Sequence, residues 1–416
     1  MMTYTKTKIP VFIILVFMLI PAVSLAAPIH DFQTDDLKVV TEDYAPLNYL
    51  DNGTLKGISV DLTEAALHQL GSNLTRESFS VLPWSEAYNL ARTTPNTILF
   101  STDRLPERED LFLWAGPVME NSQVLFTRTD TNRSDLGLGS QKIVVLTDDC
   151  GKAYAIKAGA DEKNIIEVPQ AKEAVMMIEN GSAYGWAYDE LAGQHAIMKY
   201  ATDPVQIGER QVLGTSRYYL AFNPETPVEF VNAVNNTLQD FKRNRTEAGV
   251  TKYERTIADY LPVRCTEKST PQDQVINLVN MTATDIAADA PGTITSINAG
   301  KSPYRSPTDP DLYVFVFDTS VNLVANAVNS ANLGKNLAGT TDVFGYPFRD
   351  EIVKGAEKNG TGWVSYIYSN PDSLGLYQKM SYYQMVKGSD GNQYVVGVGR
   401  YQTCDEKEAG SERTEK

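Results

Sequence analysis

The sequence has little of what metal and nucleophile chemistry uses. Three histidines (His30, His68, His195) and three cysteines (Cys150, Cys265, Cys404) occur in 416 residues. They are scattered and lack the close spacings by which His and Cys hold zinc. No HExxH pair, phosphate-cradling glycine loop or serine elbow is present. Carboxylates abound, but no spacing marks a catalytic pair. These absences point to a protein that binds rather than reacts, with no metal and no cofactor.

Positive charge is also scarce. Lys and Arg number 37 against 52 Asp and Glu, a net charge of −15. Such a balance disfavours nucleic acid and anionic membrane surfaces as partners. Long apolar runs are rare as well. Val11 to Ile20, continuing to Leu25, lies behind Lys6 and Lys8 and ends in Ser24-Leu25-Ala26. Residues 1–26 therefore read as a signal peptide cleaved after Ala26, with an uncleaved anchor as the alternative because the run is near the lower limit of a span. Cleavage would take the net charge to −17. No Cys follows the run, which argues against lipid modification. No second run of spanning length occurs, so no transmembrane segment is expected in the mature chain, and the expected location is secreted, periplasmic or cell-surface. Eight Asn-x-Ser/Thr sequons, from Asn52 to Asn359, fit either chance or a glycosylated surface.

What is present suffices for a large core: 42% of residues are hydrophobic, and the length suits two or three domains. Residues 37–262 alternate short apolar strands with helical patterns, such as Leu37 to Val40, Ile98 to Ser101, Lys142 to Leu146 and Tyr218 to Phe222. Phe230, Val234, Leu238 and Phe241 mark one face of a helix beginning at Pro227. This alternation predicts open α/β sheets. After a polar linker at 263–270, a helix is predicted from Pro271 to about Ala288, with Val275, Leu278, Val279 and Ile286 near one face. A Gly/Ser/Pro-rich loop is expected over 291–310, then a hairpin around Asp318-Thr319-Ser320, a helix over Phe348 to Lys358 and three strands. That order is an α+β pattern. The charged tail 405–416 reads as disordered.

Four ordered motifs carry a resemblance. Thr41 to Tyr49, Gly57 to Leu62, Leu82 to Ala87 and Thr102 to Glu109, the last followed by Trp114-Ala115-Gly116-Pro117, resemble family 3 of the bacterial extracellular solute-binding proteins. The resemblance implies a type II periplasmic-binding-protein clamp with two hinge strands. Lobe one would comprise 37–126 and 215–262, and lobe two 127–214. Arg108 occupies the place of the family's carboxylate-binding Arg, a planar cation suited to a bidentate partner; Arg104 is a second candidate. Amides near Gly151, at the start of a helix in lobe two, would add donors. Asp189 matches the family's place for an ammonium-binding carboxylate, and its alternative is a helix cap. Tyr44 and Trp84 would cover the ligand's apolar stem, and Glu42 is a further pocket candidate. Leu105 stands where the family often has Thr or Ser, which puts a standard α-amino acid ligand in doubt.

Residues 271–404 resemble a single Cache domain through Asp311 to Asp318, Val324-Ala325-Asn326, Gly334 to Leu337, Asp342 to Phe348, Gly362 to Tyr366, Lys379 to Tyr382 and Gly397 to Tyr401. A long helix on a PAS-like antiparallel sheet is implied, with a second pocket for a small ligand. Arg349, Lys379 and Tyr382 are its polar candidates; Phe348 reads as core. Asn326 replaces the family's frequent His and Val321 its frequent turn Gly. The ends of the Cache fold lie together, so the resemblance implies a Cys265–Cys404 disulfide and a free Cys150. The functional expectation is extracellular binding of small polar solutes, an amino acid or small carboxylate, for transport or sensing beside a membrane transporter or receptor. The alternatives are a clamp-fold lyase or hydrolase and a ligand-free surface interaction protein.

Overall fold

The computed structural model describes residues 34–130, 137–246, 249–309, 311–329, 332–370 and 373–406. The expected signal peptide, and the tail from 407, lie outside the described residues. In the first half the elements are β1 (Lys38–Thr41), β2 (Tyr49–Asp51), β3 (Thr54–Lys56), α1 (Ile58–Gln69), β4 (Ser80–Val81), α2 (Trp84–Thr93), β5 (Thr97–Asp103), β6 (Leu113–Arg128), β7 (Ile143–Leu146), α3 (Gly151–Lys157), β8 (Ile165–Val168), α4 (Ala171–Glu179), β9 (Gly185–Asp189), α5 (Glu190–Tyr200), β10 (Ile207–Phe222), α6 (Val228–Arg243) and α7 (Lys252–Tyr260). Among the described residues no helix is long and apolar enough to cross a membrane.

Eight of these strands form one sheet in the order β4-β1-β5-β10-β6-β9-β7-β8. Every residue of β5 is buried, as expected of an interior strand covered on both faces. The centre of the sheet is the antiparallel pair β6 and β10, each 16 residues long. β5 meets β10 at residues 218–222, whereas β9 meets β6 at residues 123–126. The two long strands thus pass from one half of the sheet to the other. The apolar stripe predicted for α6 is buried, and α7 starts in a capping box between Thr251 and Glu254.

The second half comprises β11 (Val263–Arg264), α8 (Gln272–Ala288), α9 (Ala290–Asn298), β12 (Val314–Asp318), β13 (Leu323–Asn326), α10 (Phe348–Asn359), β14 (Thr361–Asn370), β15 (Ser373–Lys387) and β16 (Gln393–Tyr401). Its sheet runs β11-β15-β16-β12-β13, with β14 on β15. One face packs against α8 and α9 through Val275, Val279, Ile286, Val316 and Val396; the other packs against α10 through Ile352, Val353, Phe317 and Val395.

Three segments depart from the sequence reading. The loop expected over 291–310 begins as helix α9. Pro291 sits in its first turn, where no amide hydrogen is needed, and the Asp289 carboxylate caps it by accepting from the Gly292 amide (3.1 Å). The segment expected as linker opens as β11, parallel to Leu376 and Tyr377 of β15. Cys265, just beyond it, is joined to Cys404. The tail also starts in an ordered way, since Glu406 accepts from both Arg400 Nη atoms (3.0 and 3.1 Å). The halves touch where Tyr253 Oη donates to Val343 O (2.9 Å) and the Thr341 amide donates to Glu120 of β6 (3.3 Å).

Candidate ligand-binding site

A cavity of about 570 Å³ opens beside the long strand pair, within the range of small-molecule sites (~300–1,000 Å³). Tyr44, Trp84 and Arg108 line it, as the sequence reading expected. Arg108 stands on the short helical segment Pro106–Leu111, two residues beyond the end of β5. Its guanidinium lies 5.4 Å from the Trp84 ring centre and 5.5 Å from that of Tyr88, and Nη1 donates to the Asp103 carbonyl (3.3 Å). The aromatic faces orient the fork without using up its donors.

Three expected residues fall outside the lining. Arg104 forks onto Glu109 and packs over Trp114 and Tyr219, away from the cavity. The Gly151 amide is taken by the Asp149 carboxylate (2.7 Å). Gly151 serves packing instead, because a Cβ there would lie 2.4 Å from the Ala187 carbonyl oxygen. Asp189 is a helix cap: it accepts from the Ala192 amide (2.8 Å), from Asn121 (2.8 Å) and from Tyr218 Oη. A fully buried carboxylate satisfied three times is part of the floor rather than a free ligand.

Of the cavity's acids the sequence reading named only Glu42 and missed the other four. Glu42, Asp43, Asp103, Asp148 and Asp149 all line it, against Arg108 as the one cation among the lining residues. Burial, then Asp149 and Asp43, push Glu42 up to about 8, although Arg108 pulls the other way. Burial likewise raises Asp103 and Asp149 to about 6 each, with Arg108 and backbone amides opposing. Asp189 below is raised to about 7 by burial, against its amide and tyrosine donors. Tyr44, Tyr188 and Tyr218 close one wall; Tyr44 and Tyr218 share a hydroxyl contact of 3.2 Å. Ser101 and Asp148, also in the lining, hold φ of +60°, a conformation that non-glycine residues keep at a cost.

The second half holds a far smaller cavity, about 60 Å³, walled by Tyr313, Phe348, Tyr366, Tyr368, Asn326 and Arg349 among others. Phe348 stacks on Tyr366 with centroids 3.9 Å apart. Arg349 donates to Thr340 Oγ1 (3.1 Å) and lies over the Phe348 ring. Lys379 is buried just behind this wall, under the rings of Tyr313, Tyr368 and Tyr401, and donates to Tyr313 Oη (3.3 Å). Tyr382 does not join it. Side chains alternate along β15, so Tyr382 points to the α8 face with Trp363, whereas Lys379 faces the tyrosines. Among the described residues no group of His, Cys, Asp and Glu is arranged to hold a metal ion.

An open α/β sheet crossed by two shared strands, with a polar cavity beside them, defines a type II periplasmic-binding-protein fold; the antiparallel sheet with its N-terminal helices defines a Cache-type domain behind it. Residues 37–256 match the family model of the bacterial extracellular solute-binding proteins, family 3, and residues 272–409 match single Cache domain 2. The chain belongs to the family 3 extracellular solute-binding proteins and carries a Cache domain after the solute-binding fold. Similar solved structures include a mutant of ArgBP from T. maritima (19% identity, 54% of this chain and 94% of that one, TM-score 0.45). A histidine kinase sensor domain with similarity to periplasmic binding proteins is 19% identical (55% and 97% covered, TM-score 0.46). An ancestral amino-acid-binding protein, a precursor of cyclohexadienyl dehydratase, is 21% identical (54% and 94% covered, TM-score 0.44). No curated protein matches the chain.

Proposed function

We infer that the clamp binds a small polar solute that carries a carboxylate and at least one positive charge, for uptake by a membrane transporter or for sensing through a receptor. The observation that carries this reading is the lining of the cavity: five carboxylates around the single cation Arg108. A carboxylate on the solute suits the fork of Arg108. A cationic group suits Glu42, Asp103 and Asp149, whose carboxyls burial pushes above their usual range and which a positive charge would hold ionised. The lobes would be residues 37–126 with 215–262, and 127–214, closing on a solute that touches both, since only differential affinity shifts an open–closed equilibrium. The Cache cavity would take a second, smaller ligand with a carboxylate at Arg349.

The test is a thermal-shift screen of amino acids, amines and carboxylates, followed by calorimetry on Arg108→Ala and Arg108→Lys with the best hit. Loss of a charge-assisted fork should cost ~2–5 kcal/mol of binding, and Lys should restore only part of it. Unchanged affinity in Arg108→Ala would remove the carboxylate site. A carboxylic acid near neutrality, as Glu42 is at about 8, is also what a general acid needs. Mass spectrometry of the hit after incubation separates the two readings: a binder returns it unchanged, and a lyase or hydrolase does not.

A further inference from the structure

Side chains of β10 alternate between two cavities. Tyr218 faces the solute cavity, whereas Arg217 faces a separate cleft of about 430 Å³ between the clamp and the Cache domain. Glu120 of β6, Lys242 and Arg243 at the end of α6, and Thr341 of the segment between β13 and α10 also line that cleft. Three cations thus meet one carboxylate, in a chain whose net charge is −15.

The carboxylate is already committed. One oxygen of Glu120 accepts from Arg217 Nε (2.8 Å) and the other from the Thr341 amide (3.3 Å). Among the described residues no ion pair joins Lys242 or Arg243 to an acid. The Lys242 ammonium donates to the Pro117 carbonyl (2.8 Å) and lies 4.8 Å from the Tyr253 ring centre. Basic residues ending a helix ordinarily answer its dipole. Lys242 does not: its ammonium is turned onto β6 rather than onto the last carbonyls of α6. Burial lowers it to about 8, although the nearby Glu120 carboxylate, itself bonded to Arg217 and Thr341, pulls the other way.

We propose that this cleft is a binding site for a compact oxyanion with two or more negative charges, of the phosphate or polycarboxylate kind, held by Arg217, Lys242 and Arg243. The Arg243 fork, the Nη edge of Arg217 beyond its Glu120 bond and the Lys242 point charge match such an anion, and the volume admits it with its water. The site goes beyond the solute-binding reading. It stands on the opposite face of β6 and β10 from the solute cavity, and the bound anion would bridge the clamp to the Cache domain.

The experiment is calorimetric titration of the purified protein with inorganic phosphate and, separately, with citrate, against sodium chloride at equal ionic strength. Saturable binding of one equivalent of either anion is expected, and the stronger of the two identifies the source. Arg243→Gln, at an exposed position, should weaken it by about tenfold or more, as should Lys242→Gln. At pH 8 binding should take up protons, read from buffers of different ionisation enthalpy, and Lys242→Gln should abolish that uptake. Solute affinity in Arg243→Gln should match wild type, which shows that the clamp is intact. Heats no larger than those of chloride, or wild-type anion affinity in both variants, would overturn the proposal whatever the solute titrations give.

Discussion

The clamp cavity, about 570 Å³, gathers five carboxylates around Arg108, while the Cache cavity, about 60 Å³, has aromatic walls, Arg349 and no acid in its lining. One chain therefore offers two pockets of opposite sign and a nearly tenfold difference in size. The larger is walled partly by residues in costly backbone conformations and by carboxylates of which Glu42, Asp103 and Asp149 are withdrawn from water and raised by burial, while Asp43 and Asp148 are exposed. The smaller is closed by ring stacking of the kind that fills a core. A ligand in the clamp would compensate for that strain and desolvation, whereas the Phe348–Tyr366 stack of the Cache wall contributes to stability beside the Arg349 site.

Parallel truncations sharpen that contrast most. Phe348→Ala should destabilise the protein by ~3–5 kcal/mol, because it deletes a buried ring from the α10 core. Trp84→Ala, a half-buried ring on the clamp cavity, should lower solute affinity with a much smaller change in melting. Denaturant titration and calorimetry on the same pair of variants read both effects. If Trp84→Ala destabilises as much as Phe348→Ala, the wall of the clamp is core, and the contrast fails.

The disulfide gives the next effect. It joins residues 139 apart and staples both ends of the Cache domain, so Cys265→Ser should cost ~2–5 kcal/mol in a denaturant melt. Solute affinity should be unchanged, because neither cysteine lines the clamp cavity.

Acidity should act on the clamp instead. Glu42, Asp103, Asp149 and Asp189 all keep protons in the folded state that the unfolded chain releases near pH 4. Their contribution to stability is full below that range and is lost as pH rises through about 6 to 8. The unliganded melting temperature should fall from pH 5 to pH 8.5. A cationic solute pairs with the ionised forms, so the shift it causes should grow over the same interval. A larger shift at pH 5 than at pH 8.5 would contradict the charge assignment.

The smallest effect is at Val321, whose φ of +61° is a strained value for a β-branched residue, although its side chain is buried. Val321→Gly removes that strain and also removes buried surface, each on the order of 1–2 kcal/mol, so stability should change by less than ~1 kcal/mol. Val316→Gly, at a fully buried position of the extended β12, lacks the compensating term and should cost several-fold more.

Periodicity made most of the architecture legible. The stripes of α6 and α8 and the alternation of strands and helices are local signals, and they appear in the structure where the apolar residues are. Parity would also have separated Lys379 from Tyr382, because an odd separation within one strand puts two side chains on opposite faces. Capping hid other features. Asp189 at a strand-to-helix junction has the same sequence signature as a ligand carboxylate, and Asp289 before Pro291 turned an apparent loop into α9. The acid cluster of the clamp could not be read from spacing at all. Glu42, Asp103 and Asp149 come from three separate junctions and meet only because the sheet brings those strand ends together.

Side-by-side calorimetric titration with lysine and glutamate at pH 8 tests the central claim most directly. The two solutes share the α-carboxylate that Arg108 would hold and differ in the charge they present to Glu42, Asp103 and Asp149. The acid-lined cavity predicts that lysine binds at least about tenfold more tightly than glutamate, a difference of ~1.4 kcal/mol or more. Glutamate binding as tightly as lysine would contradict it.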